Sequence, residues 1–115
     1  MSEFKRVPAA FYQTGQGKEP VREWLVGLDA ESRRIVGRDI ATAEFGWPVG
    51  MPLSRSLGGG LYEIRSNISG KRIARVIFVL HGSRMVLLHG FVKKSQKTPK
   101  SDLDLARQRA KEIGK

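Results

Sequence analysis

The sequence predicts an α+β fold in which helices pack on one face of an antiparallel sheet, and three observations lead there. Leu61–Ser66, Arg72–Leu80 and Met85–Val92 are runs rich in β-branched and aromatic residues. The turns Ser69-Gly70-Lys71 and His81-Gly82-Ser83 separate them, which is the pattern of a three-stranded meander. Ahead of the meander, apolar residues recur at three- and four-residue spacing in two consecutive segments with helix-start signals, and a third such segment follows it. With a strand near the N-terminus the order is β-α-α-β-β-β-α. The 115 residues form a single domain, residues 1–115, since two halves would each bury too little surface to offset their chain entropy.

Taken in order, Glu3–Tyr12 carries β-formers around Pro8, which suits an edge strand because proline donates nothing to a ladder. Thr14-Gly15-Gln16-Gly17 reads as a loop. Pro20 then opens a short helix with Val21, Trp24, Leu25 and Leu28 on one side, closed near Gly27. Asp29 is a suitable N-cap for a second helix, Ala30–Phe45, whose Val36, Ile40 and Ala43 make an apolar stripe, and Gly46-Trp47-Pro48 ends it. These two helices form an αα-hairpin that needs a sheet to cover. Val49–Gly60 reads as a loop whose three glycines, Gly58–Gly60, give a flexible lead-in to the meander. After the meander Thr98 is the expected N-cap of the last helix, with Pro99 at its first position and Ser101, Asp102 and Asp104 in its first turn. Leu103, Ala106, Ala110 and Ile113 are its apolar stripe.

Charge is segregated along this chain. The formal net charge is +10, and between Ile64 and Ser101 there are nine Lys or Arg residues and no acidic one. The meander and the segment leaving it therefore hold almost all the excess, which points to a polyanionic partner. A solvated basic surface without a ligand is the alternative reading of that charge, although solubility alone does not require segregation. There are no cysteines and only two histidines, so disulfides, thiol catalysis and a metal site are not expected, nor is any cofactor. No signal-peptide core or membrane-length apolar run is present, and a soluble, cytoplasmic protein with no membrane partner is expected.

Alternation along the first meander strand puts Glu63 and Arg65 on one face and Tyr62 and Ile64 on the other, the helix-covered side. Arg75 interrupts the apolar run Ile73–Leu80, where a charge must meet water, a carboxylate or a ligand. Pairing of Glu63 with Arg75 across strands is a structural role, and a carboxylate that orients an arginine can equally aim it at a phosphate. Arg65 has no evident acidic partner, and its guanidinium fork matches two phosphate oxygens. Lys93, Lys94 and Lys97 form a basic loop beside these arginines. Crowding by like charges favours a neutral lysine, which then accepts a proton. His89 lies among apolar neighbours, either as a half-buried structural residue or as a general acid or base. Phe91 either packs in the core or stacks on a base, and Glu63, Lys71, Arg72, Arg84, Phe91 and Lys97 complete the expected RNA-contacting set.

Leu61-Tyr62-Glu63-Ile64-Arg65, Arg75 within the next strand, and Leu88-His89-Gly90-Phe91-Val92-Lys93-Lys94-Ser95-Gln96-Lys97-Thr98-Pro99 together resemble the RelE/ParE toxin superfamily. The similarity is to its phage-derived HigB-like branch of type II toxin–antitoxin systems, and it spans roughly Pro20 to Ile113. The resemblance implies a RelE-like fold and ribosome-dependent mRNA endoribonuclease (mRNA interferase) activity leading to growth arrest. It also implies the ribosome and mRNA as partners, together with a cognate helix-turn-helix, HigA-like antitoxin.

In such ribonucleases the substrate's 2′-hydroxyl attacks the adjacent phosphorus and leaves a 2′,3′-cyclic phosphate. The resemblance makes Arg65 and Arg75 the phosphate-stabilising pair and leaves proton transfer to Lys93, Lys94 or His89. No tyrosine follows Tyr62, so the tyrosine used in some branches is absent. Two other readings are a ParE-like protein that inhibits DNA gyrase by binding, and a noncatalytic basic RNA-binding or phage module. The presence of Glu63 among Arg65, Arg75 and Lys93 favours the nuclease, because backbone binding alone needs scattered charges and no carboxylate.

Overall fold

Alternation along the central strands gives this sheet two apolar faces, and the architecture follows from covering both. The computed structural model describes residues 5–93 and 97–114. Its elements are β1 (Ala9–Phe11), α1 (Pro20–Val26), α2 (Ala30–Gly46), β2 (Ser54–Gly58), β3 (Leu61–Ile68), β4 (Arg72–His81), β5 (Arg84–Lys93) and α3 (Lys100–Ile113), with a 3₁₀ turn at Ser69–Lys71. One five-stranded sheet runs in the order β1-β5-β4-β3-β2. The strands from β2 to β5 are antiparallel to their neighbours, whereas β1 is parallel to β5, with Ala9 opposite Met85.

The αα-hairpin forms as its signals require. Pro20 occupies the first turn of α1 and Gly27 caps its end. The Asp29 carboxylate accepts the Ser32 backbone N–H at 3.0 Å and starts α2. The hydrogen bonds from Ser32 hold the Asp29 carboxyl below its ordinary value. Val21, Val36, Ile40 and Ala43 pack against Ile64, Ala74, Val76, Phe78, Met85 and Leu87. Tyr62 and Ile64 lie on this helix-covered side, as alternation predicts.

Helices on a single face are corrected by α3, which covers the opposite side. Ala106, Leu103, Ala110 and Ile113 pack there against Leu61, Ile77, Leu88 and Phe91. The reason is in β3 and β4. Leu61, Ile77 and Val79 are as apolar as the residues alternating with them, so an open second face would leave them in water.

Three further expectations change. Ser54–Gly58, read as loop, is the edge strand β2, paired with β3 through Ser54–Ile64, Arg55–Glu63 and Ser56–Tyr62. Gly58, Gly59 and Gly60 all have φ between +62° and +86°, so they are a demanded left-handed turn rather than a flexible lead-in. The N-terminal strand is only three residues long and begins after Pro8. It is held by Glu44 of α2, buried, whose carboxylate accepts the Ala9 N–H at 2.7 Å and meets Lys5 Nζ at 3.0 Å. Among the described residues, no helix is long and apolar enough to cross a membrane.

Candidate functional site

Strand register collects the candidate residues into rows. Glu63, Ile77 and His89 form one row across β3, β4 and β5; Arg65, Arg75 and Phe91 form the next, and Asn67, Ile73 and Lys93 the third. Rows on one face are two residues apart, roughly 6.6 Å, and neighbouring strands lie about 4.8 Å apart. Arg55 on β2 sits directly opposite Glu63 and extends the first row to the sheet edge.

His89 reaches this face through an irregularity. Strict alternation from Leu87, which packs under α1 and α2, would send His89 to that same covered side. Instead Ile77 pairs with His89 and Phe78 with Leu87, so Leu88 is an extra residue in β5. The bulge turns both Leu88 and His89 toward α3.

Glu63 is the centre of the arrangement and is fully buried. Its Oε1 lies 3.3 Å from Arg55 Nε, 3.8 Å from Arg65 Nε and 3.9 Å from Arg75 Nη1. Its Oε2 accepts the Thr98 hydroxyl at 2.7 Å, and Arg75 Nη1 donates to Thr98 Oγ1 at 3.3 Å. Among the described residues, one carboxylate thus faces three guanidinium groups.

Exposure sorts these cations by role. The Arg75 side chain is fully buried, Arg65 is 15% exposed and Arg55 34%. Burial lowers the Arg75 pKa; Glu63 opposes that shift, and the positive charges of Arg65 and Arg55 add to it. Arg75 therefore lies behind the surface, while Arg65 and Arg55 are the cations that reach it. Arg65 borders two adjoining hollows of about 230 and 200 Å³, beside Asn67, Ile73 and Arg38. The expectation that Arg65 lacks an acidic partner is corrected, since it shares Glu63.

A second polar pair adjoins the first. His89 Nε2 and Asp102 Oδ1 are 2.6 Å apart, which fixes the orientation of the imidazole from the first turn of α3. Phe91 stacks on His89 with ring centroids 5.3 Å apart at 22°. At 7% exposure Phe91 belongs to the α3-side core, so a base has no open face of it to stack on.

The remaining expected residues are spread along the sheet. Lys93 is exposed at the end of the third row, and Lys97 is exposed beyond it. Lys71 lies in the turn at the same end, and Arg72 is tied back to that turn by donating to the Ser69 carbonyl at 2.9 Å. Arg84 stands at the other end of the β4–β5 hairpin, opposite His81, eight residues from the Ile73–Lys93 pair and thus roughly 27 Å away. Lys94 lies outside the described residues. Among the described residues, no group of three or more His, Asp or Glu has metal-site geometry.

Three members were not legible as site residues. Arg55 was hidden because its segment reads as loop. Thr98 is not the N-cap of α3, since Pro99 takes that position and the hydroxyl goes to Glu63. Asp102 reads as a first-turn carboxylate, and only the α3 docking brings it to His89.

The comparisons with known proteins are made against this geometry. The family model described as phage-derived protein Gp49-like (DUF891) matches residues 23–111, from α1 through nearly all of α3. That family is associated with RelE-like and toxin-like proteins. No curated protein matches the chain. The match takes in every element that builds the charged face, and the chain belongs to the phage-derived Gp49-like family.

Proposed function

We propose that this protein is the toxin of a type II toxin–antitoxin system, of the HigB-like kind, and acts as a ribosome-dependent mRNA endoribonuclease. The observation that carries this reading is the buried Glu63 carboxylate shared by Arg55, Arg65 and Arg75, beside the His89–Asp102 pair. Three guanidinium groups gathered around one buried carboxylate concentrate donors and positive charge where a phosphodiester gains negative charge in its transition state.

The chemistry follows from exposure. Arg65 contacts a non-bridging phosphate oxygen, with Arg75 and Glu63 fixing its angle from behind. Attack by the RNA's own 2′-hydroxyl needs a proton acceptor, and departure of the 5′-oxygen needs a donor. His89, oriented by Asp102, and Lys93 on the same face divide these two roles. Products are a 2′,3′-cyclic phosphate and a 5′-hydroxyl. A basic toxin of this kind requires an antitoxin, here a helix-turn-helix protein that covers the cationic face.

The test is induction in translating cells with mapping of mRNA 5′ ends, comparing the wild type with Arg65→Ala. Arg65 is the better choice than buried Arg75, whose loss also perturbs folding. Wild-type induction yields new 5′ ends within translated messages, and Arg65→Ala, folded by circular dichroism, loses them at least about 100-fold. Intact messages accompanied by loss of gyrase supercoiling would overturn the nuclease in favour of the ParE-like reading.

A further inference from the structure

Beyond the phosphate-facing arginines lies a cleft of about 550 Å³ at the β2 edge, lined by Trp47, Val49, Met51, Ser54, Arg55 and Tyr62 among others. Its walls are unusual for an incidental surface depression. Trp47 stands edge-on to Tyr62, with centroids 5.1 Å apart at 82°, and edge-on to Phe78 at 5.3 Å, while Tyr62 stacks on Phe78 at 5.6 Å. Two half-buried aromatic rings thus meet at a right angle and are braced from beneath. Met51, 67% exposed, stands at the cleft as an apolar group left in water.

Two polar features give this apolar corner a chemical direction. Ser54 is 1% exposed, and among the described residues its hydroxyl, like those of Ser32 and Ser66, meets no hydrogen-bond partner. Of the three, Ser54 is the one that lines this cleft and so can be completed by an occupant of it. Arg55 borders the cleft while its Nε lies 3.3 Å from Glu63. It therefore joins the cleft to the cluster that includes Arg65. An occupant with a flat apolar ring, an edge carrying donors and acceptors, and an anion a few ångströms away matches all three.

We propose that this cleft binds a nucleobase: the base of the RNA nucleotide adjoining the phosphate held by the arginines. The base stacks against Trp47 and Tyr62, the Ser54 hydroxyl bonds its edge, and Arg55 bridges to its phosphate. This rests on the nuclease reading for the identity of the polymer, but the pocket binds a free nucleotide without ribosome or cleavage. An apolar side chain of a protein partner would use the aromatic walls and leave both Ser54 and Arg55 unused, so the nucleotide is the better fit.

The two tryptophans, Trp24 and Trp47, give two indole N–H resonances in a ¹⁵N-correlated NMR spectrum, assigned by Trp47→Phe. Adenosine, guanosine, cytidine and uridine 5′-monophosphates are titrated in turn, with ribose 5-phosphate and inorganic phosphate as probes lacking a base. Saturable displacement of the Trp47 resonance by at least one nucleotide, with Trp24 still, is expected. Arg55→Ala weakens that nucleotide at least about tenfold, and Ser54→Ala weakens it with the fold unchanged. Equal displacement by ribose 5-phosphate, or none with any nucleotide, overturns the proposal. So does displacement by an unphosphorylated apolar peptide alone. Nucleotide binding without mRNA cleavage in cells sinks the nuclease and leaves the cleft; unaltered cleavage by Trp47→Ala with no nucleotide binding does the reverse.

Discussion

Gly90 and Trp24 are fitted to one another without clearance: a β-carbon built on Gly90 falls 2.3 Å from Trp24 Cε3 and 2.7 Å from Cδ2. The indole of α1 lies directly on the backbone of β5, three residues before that strand ends at Lys93. The glycine is there for space rather than for backbone freedom, as it has no positive φ. Gly90→Ala must displace a rigid aromatic ring, an overpacking expected to cost roughly 2–3 kcal/mol. A fall in Tm of about 10 °C follows for a domain of this size. Thermal unfolding followed by circular dichroism measures it, and the double variant Gly90→Ala/Trp24→Leu should recover part of the loss.

Glu63→Gln leaves Arg55, Arg65 and Arg75 facing one another without their shared anion. Removing one member of a buried ionic group typically costs about 3–5 kcal/mol. Sulfate or phosphate is expected to restore stability to this variant more than to the wild type, because an added anion takes the place of the carboxylate. Urea unfolding with and without 100 mM-range sulfate distinguishes this from a simple packing defect, on which anions would act equally in both proteins.

Asp102→Asn tests whether the His89 pair is chemistry or scaffold. The pair is mostly buried, at 16% and 15% side-chain exposure, and Asn keeps the shape but not the charge, so the change is expected to cost about 1.5–3 kcal/mol of stability. Under the proposed mechanism mRNA cleavage drops about tenfold or more, since the imidazole loses the group that orients it. Equal cleavage by Asp102→Asn and wild type would make the pair a tether for α3 and nothing more.

The alkaline limit of stability is expected to lie with Tyr12. Its hydroxyl donates to the Glu112 carboxylate of α3. That hydrogen bond first, then burial and the negative charge of Glu112, raise the Tyr12 pKa above its ordinary 10.0, with Arg109 opposing. A raised folded value means the contribution is complete below pH 10 and is lost as pH rises through the folded value. Denaturation midpoints at pH 8 to 11.5 should therefore fall more steeply for the wild type than for Tyr12→Phe, with Tyr12→Phe lower by about 1 kcal/mol at pH 8.

What the amino-acid order discloses here is whatever depends on near neighbours. Pro20, Gly27 and Asp29 mark α1 and the start of α2, and the alternation of Tyr62, Glu63, Ile64 and Arg65 assigns faces in β3, because each signal acts within a few residues. The features that escape are those decided by distant partners. Ser54–Gly58 has no strand pattern of its own and becomes β2 only by pairing with β3. His89 changes face because Leu88 has no counterpart in β4, which only the register of two strands reveals. The candidate site was read in part for the same reason: Arg65, Arg75 and Glu63 announce themselves as charges in an apolar meander, but Arg55, Thr98 and Asp102 join them solely through packing. Phe91 and buried Arg75 show the converse, being the right residue types held too deep to meet a ligand directly.

The parallel pairing of β1 with β5 has a bearing on biosynthesis. The first strand docks beside a strand far along the chain, Ala9 opposite Met85, and α1 settles on that same strand, so β1 and α1 have no template until β5 has been synthesised. A translating ribosome thus carries an unfinished sheet until β5 is made, and the cationic surface comes into being only after β3, β4 and β5 have all been made.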